Sequence, residues 1–441
     1  MQAALKYGTL GTENKQKGAL MEVAAIIAEY NPLHNGHAYQ IEQTKKETGA
    51  DYVIAFMSGD FVQRGAPALL DKYTRTRMAL LCGTDAVIEL PTLYAAASAE
   101  YFAQGAVTLM SQLGVVDLLS FGSESGDLSS LTKAAELLLS REPADLTQLL
   151  KKGLSYSAAR TQSFSSLSGD LQDLLSSPNN ILGAEYCKAL FASHSKIRPF
   201  TIARKGNGYH DLSLQPGSED FSSASSIRAF LSREAAGNAV KNPDLLLPLH
   251  KQMPKEAFAL LCAAVKNRAY LFEDDFSALL YYQLLKEADN GYSDFLDCSS
   301  SLSDKITKNL CSYQGYEAFC MQLKSKDLTY TRISRTLLHI LLGIKTPSCF
   351  LEPYSSRKLP VPYARLLGFR KSAAPLLSAM KANSSIPLLS KMAAAKDLLS
   401  GEDLAFFQAE VRYASLYQGV LALKTGTPIL NEYCCSPICM D

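Results

Sequence analysis

Residues 28–37 read Ala28-Glu29-Tyr30-Asn31-Pro32-Leu33-His34-Asn35-Gly36-His37. They follow an unbroken apolar run, Val23 to Ala28, and lead into an amphipathic stretch, His37 to Glu47, so they span the turn from a buried strand into a helix. Two histidines three apart, with Gly36 between them, stand where free backbone N–H groups and the helix dipole favour an anion. Imidazole N–H groups placed there can stabilise the charge that builds on an α-phosphate as a nucleophile displaces pyrophosphate. Gly36 leaves room for backbone or a flat base to come close. The plainer account makes each histidine a helix cap or a satisfied core residue. The order strand, turn, glycine, helix favours phosphate.

The alternation continues outward. Tyr52 to Met57, Ala86 to Leu90 and Leu118 to Phe121 read as strands, and Arg75 to Leu81 and Ser98 to Leu113 as helices between them. This pattern predicts an α/β fold, a parallel sheet with helices on both faces and a ligand site outside the carboxyl ends of the strands. From Leu128 to Leu190 the pattern is helical, broken around Ser163 to Ser168 and at Pro178; Ile197 to Ala203 returns to strand and Ser225 to Ser232 to helix. Gly, Asn and Pro cluster at 237–248. Beyond them Ala257 to Val265, Phe276 to Glu287, Tyr316 to Leu323 and Arg332 to Leu342 read as helices. Three parts are therefore expected: residues 1–20, polar and aperiodic, as a disordered extension with Met21 an alternative start; 21–236 as a nucleotide-binding α/β domain; and 249–441 as a mainly helical domain.

Composition narrows the class. The 441 residues are 47% hydrophobic and 20% charged, a globular balance. No run reaches the roughly 18 apolar residues of a membrane span, and the first residues lack the apolar core of a signal peptide, so a soluble cytoplasmic protein is expected, with no membrane and no protein partner. The ten cysteines read as reduced thiols; Cys434, Cys435 and Cys439 cluster without a nearby histidine, and no metal site is assigned. There is neither a phosphate-binding G-x-x-x-x-G-K-[ST] loop nor a G-x-S-x-G nucleophile elbow. Residues 21–240 carry 18 Lys/Arg against 23 Asp/Glu, and residues 241–441 carry 23 against 19. Between Lys324 and Lys391 twelve Lys/Arg face only Asp327 and Glu352, with Tyr330, Tyr354 and Tyr363 interleaved. Such a segment suits RNA phosphates and unstacked bases, and equally a solvated helix face.

The stretch AEYNPLHNGHAYQ resembles the first signature of the HIGH-motif nucleotidyltransferase superfamily and, within it, of the bacterial tRNA(Met) cytidine acetate ligase family, with Leu33 where Phe is frequent. SGDFVQRGAPALLDKYTRTRMAL (58–80), SFGSE (120–124), SPNNILGAEY (177–186), TIARKGNGYHD (201–211) and SASSIRAFL (223–231) are similar to its later signatures, in order, and weaker similarity continues through YTRISRTLLHILLGI and YARLLGF. The resemblance implies a Rossmann-like domain that uses ATP, with a magnesium ion able to accompany it, to turn acetate into acetyl-adenylate. The acetyl group would then pass to N4 of the wobble cytidine of elongator tRNA(Met). It further implies that His34 and His37 act on the phosphates. ATP would be held by Ile27, Ala28, Glu29, Tyr30, Asn31, Pro32, Leu33, His34, Asn35, Gly36, His37, Ala38, Tyr39 and Gln40, with Gly122, Asn179, Arg204, Ser226 and Arg228. Arg332, Arg335, Arg365 and Lys371 in the basic segment are candidates for tRNA. Two other readings stay open: a small-molecule adenylyltransferase sharing the N-terminal site, and a non-catalytic RNA-binding protein with a vestigial nucleotide fold.

Overall fold

The computed structural model describes residues 21–151, 169–204, 221–235 and 243–441. The expected extension 1–20, the serine-rich break at 163–168 and the start of the expected boundary, 237–242, lie outside the described residues. Strand β1 (Val23–Ala28) is flanked by β2 (Tyr52–Ser58) and β6 (Leu118–Ser123). The sheet continues through β5 (Ala86–Leu90) on one side and β7 (Arg198–Ala203) on the other, all parallel. Between β2 and β5 a two-residue-stranded hairpin, β3 (Phe61–Val62) and β4 (Ala66–Pro67), projects from the carboxyl end of β2.

The apolar run of β1 is continuous because both its faces are covered. Val23 and Ala25 pack with Ile54, Phe56 and the helix Ala99–Leu113. Ala24, Ile26 and Ala28 pack on the other face with α1 (Asn35–Thr48) and α2 (Lys72–Leu81). Chain order runs β1, β2, β5 to one side and β6, β7 to the other. The order therefore reverses between β1 and β6, and in such a sheet the crevice at their carboxyl ends is where a ligand binds.

The sheet does not end within 21–236. Strand β8 (Ala364–Arg370), read from sequence only as part of the basic segment, lies antiparallel to β5 and pairs Ala86 with Phe369 and Glu89 with Arg365. The short β9 (Leu388–Leu389) and β10 (Ile438–Met440) add to β8 in parallel. The remainder of 249–441 is mainly helical and surrounds a core of its own that includes Phe276, Leu284, Phe319, Ile333 and Leu337. Phe61 of the hairpin is buried in that core too, so the two regions share packing. A 25-residue helix, Gly401–Thr425, had no expectation in the sequence; its apolar positions face several partners in turn and leave no single stripe. Among the described residues no helix is long and apolar enough to cross a membrane.

Candidate active site

The turn after β1 brings its side chains to the switch point. Tyr30 adopts a positive φ of 48°, and the Asn31–Pro32 peptide is cis. The fully buried Arg75 of α2 binds the carbonyls of Glu29 (2.7 Å), Ser58 (3.0 Å) and Leu70 (2.9 Å), tying the ends of β1 and β2 together. Asn31 is held the same way: its Oδ1 accepts the Leu69 N–H at 2.7 Å, and its carbonyl accepts from Arg228.

His34 is the N-cap of α1, so the plainer account is part of the truth. Its Nδ1 accepts the Gly36 N–H at 3.0 Å, while Nδ1 of His37 accepts the His34 N–H at 3.3 Å. With each Nδ1 accepting, the proton of each neutral ring sits on Nε2. Both rings are thus locked as Nε2–H donors by the backbone that they cap. The ring centroids lie 3.8 Å apart, and Tyr30 packs edge-on against His37 at 5.1 Å. Burial holds His34 well below the usual imidazole range, with His37, Arg204 and Arg228 adding to the effect. Burial and then Arg204 bring His37 down to about 3. Gly36 is required because a Cβ there would lie 2.9 Å from the His34 ring.

The histidines stand between two cavities. A small one of about 40 Å³ is lined by His34, Gly36, Tyr39, Gln40, Gly122, Arg204 and Phe221 to Ser223. A larger one, about 340 Å³, is lined by Ile27, Ala28, Glu29 and His37 from the turn and by Phe121, Asn179, Tyr186 and Arg204. Gln40, Gly122 and Arg204 border both. Gly122 lies so near Arg204 that a Cβ would come within 3.2 Å of its Cγ.

Several expected residues have other duties. Asn35 donates to the Lys251 carbonyl at 2.8 Å. Leu33 is buried in the core and Pro32 within the turn; Ala38 lies on the first turn of α1. Asn179 donates to Glu124 at 2.6 Å, and Glu124 also accepts the Asn180 N–H at 2.9 Å, anchoring the helix Pro178–Ala192. Ser226 is fully buried, donating its N–H to the Ser223 hydroxyl that caps the helix Ala224–Ala235 and its own hydroxyl to the Ser223 carbonyl, so it is Ser222 and Ser223 that reach the cavity. Arg228 spans from that helix to the turn through the Asn31 carbonyl.

The basic segment is corrected most. Arg365 is 5% exposed and paired with Glu89 (2.9 Å) and Glu432 (2.6 Å), so it offers nothing to RNA. Arg357 is likewise paired inside with Glu100 at 2.7 Å, and Tyr363 is buried. Lys371 is exposed beside Asp441, but it follows β8, which runs antiparallel to β5, and so lies at the amino-end edge of the parallel strands, opposite the site. Arg332 is half-buried on the helix Tyr330–Leu342. Arg335, from the same helix, lines the larger cavity, its Nε bound to Asp297 at 2.7 Å. Sequence reasoning missed Gln63 and Arg64 of the hairpin and Phe102 of the helix Ala99–Leu113, which line it too; the quoted stretch 58–80 contained the first two, without spacing to single them out. Among the described residues there is no group of three or more His, Cys, Asp or Glu placed to hold a metal ion.

Comparisons with known proteins give the family. Residues 21–427 match the HIGH Nucleotidyl Transferase family. A tRNA(Met) cytidine acetate ligase of Clostridium novyi is 38% identical over 379 residues, 84% of this chain and 90% of the relative. That of Clostridium kluyveri is 37% identical over 435 residues, 96% of this chain and all of the relative. Crystal structures of Thermotoga maritima TmcAL, 29% identical, superpose with TM-scores of 0.84 for the apo form and 0.82 for the form bound with alpha-thio ATP, each covering 95% of this chain and 100% of the other.

Proposed function

The chain belongs to the HIGH nucleotidyl transferase family, among the tRNA(Met) cytidine acetate ligases, and from that premise we infer that it is an ATP-dependent ligase acetylating N4 of the wobble cytidine of elongator tRNA(Met). The observation that carries the reading is the pair of Nε2–H imidazoles at the start of α1, set between a small polar cavity and a larger one. In this reading ATP lies over the turn 27–40 with its base by Gly36 and Tyr39, and Arg204 beside its phosphates. An acetate oxygen attacks the α-phosphorus, and pyrophosphate leaves. His34 and His37 donate hydrogen bonds to the charge that gathers on the phosphate oxygens, which a neutral donor does without first giving up its proton. The wobble amine then attacks the acetyl carbon and AMP leaves. A carboxylate is a poor acyl donor and an aromatic amine a weak nucleophile, so activation and positioning must both be supplied. A tRNA substrate places this work in the cytoplasm.

The test is incubation with ATP, labelled acetate and total tRNA, followed by nucleoside analysis. Label in N4-acetylcytidine of tRNA(Met) is expected. Acetate-dependent pyrophosphate exchange with no label in any tRNA would favour the small-molecule adenylyltransferase, and no exchange at all the vestigial fold.

A further inference from the structure

We propose that the larger cavity is the acceptor pocket, admitting one pyrimidine nucleotide turned out of its RNA strand, with Arg64 and Arg335 taking its backbone phosphate and Glu29 receiving its exocyclic amine. The proposal rests on the ligase reading above and says where on this chain the second substrate is held. Its first support is position. The cavity is lined by His37, the small one by His34, and the two share Gln40, Gly122 and Arg204, so groups bound in the two would adjoin there.

Size and lining come next. About 340 Å³ is in the usual range of small-molecule pockets and far more than acetate fills. Phe102, Phe121 and Leu182 give the lining an apolar part that suits the face of a base, and Gln63, Arg64 and Arg335 give it a polar one. Two guanidinium groups on one wall match a phosphodiester better than a neutral small acceptor.

That wall is also built from both halves of the chain. The hairpin tip is clamped to the helical region: the Gly65 carbonyl accepts from Ser334 Oγ at 2.8 Å and from Tyr316 Oη at 3.2 Å. Gly65 has φ 77°, and a Cβ on it would lie 2.2 Å from the Arg335 nitrogen, so Arg64 is carried directly beside the helix bearing Arg335. At the inner end Glu29 Oε1 accepts the Gln63 N–H at 2.9 Å, which fixes the carboxylate on the cavity wall. A carboxylate accepts hydrogen bonds and does not donate them, so it selects the amine of cytosine over the carbonyl oxygen of uracil. As the amine nitrogen bonds to the acetyl carbon, the acetyl–phosphate C–O bond breaks, AMP leaves with that electron pair, and the nitrogen's proton passes to Glu29 and on to water. A nucleotide in a single-stranded loop reaches such a pocket at little unstacking cost.

The experiment separates the steps, with acetate-dependent pyrophosphate exchange reporting activation and labelled acetyl on tRNA reporting transfer. Wild-type protein is measured first; if it fails in both, the ligase reading fails and not only the pocket. Arg64→Ala is expected to raise KM for tRNA and lower transfer kcat/KM by about 10- to 100-fold more than it lowers exchange, the size of a lost charge-assisted hydrogen bond, with Arg64→Lys recovering part of it. Glu29→Gln should instead lower transfer kcat more than exchange, and weaken the preference for a wobble-cytidine over a wobble-uridine anticodon stem-loop in competition. Equal losses in both steps, or no change in transfer, would overturn the assignment.

Discussion

In the proposed reading, His34 and His37 are structural and chemical at once. Each gives Nδ1 to the backbone and keeps an Nε2–H for the site. Replacing either by Ala should slow acetate-dependent pyrophosphate exchange by ~10²-fold, the cost of a lost transition-state donor. His37→Ala should keep the fold better than His34→Ala, which also removes the cap of α1. With His37 held at about 3, its ring should remain neutral, and its NMR resonances constant, from pH 8 to 5. The unfolded ring takes up a proton near 6.5, so His37 opposes the folded state increasingly as pH falls from there to about 3. An inflection of the His37 resonances near 6.5 would count against the buried, neutral pair. Arg365 and Arg335 make the complementary point: identical in charge, both in the basic segment and both salt-bridged, one is buried between Glu89 and Glu432 and the other, paired with Asp297, lines the cavity.

At the scale of elements, two short pieces hold the site in register. The hairpin β3–β4 links the turn at Glu29 to the helix Tyr330–Leu342. Gly65→Ala should cost about 2–4 kcal/mol, because it combines a positive φ with a backbone clash; thermal unfolding of the full chain measures it. The other piece is the chain end. Glu432, 1% exposed, meets Lys72 at 3.1 Å and Arg365 at 2.6 Å, and Lys72 also meets Glu89 at 3.0 Å. Burial pushes the Glu432 carboxyl up, but Lys72 and Arg365 outweigh it and hold it at about 2. Glu432→Gln leaves buried cations short of a partner and should cost about 3 kcal/mol or more at pH 7. Because the folded carboxyl titrates below the unfolded one, the wild-type advantage is complete above about pH 4.5 and is lost as pH falls toward 2. A difference in urea stability that does not shrink from pH 7 to pH 3 would refute this role.

For the whole molecule, the sheet begun at Val23 is finished by strands from Ala364 onward, β8 lying beside β5 (Ala86–Leu90). A fragment of residues 21–248 would leave β5 an unpaired apolar edge and Lys72 without Glu432. It should aggregate or stay non-cooperative in chemical denaturation, and co-expression with 249–441 should recover soluble protein; a monomeric fragment that unfolds cooperatively would show two independent units after all. The strands β1, β2, β5, β6 and β7, the helix after the first turn and the two histidines were legible in the sequence because each is encoded locally: a buried parallel strand is a continuous apolar run, and a strand–turn–helix phosphate site is compact in the chain. Strand β8 was not legible, since ARLLGFR carries charges that look like surface until Glu89 and Glu432 arrive to neutralise Arg365. The same holds for the cavity wall of Gln63, Arg64 and Arg335. Period and composition report a residue's neighbours along the chain, whereas ion pairing and enclosure depend on segments some 270 residues apart, and only the folded chain brings those within a few ångströms.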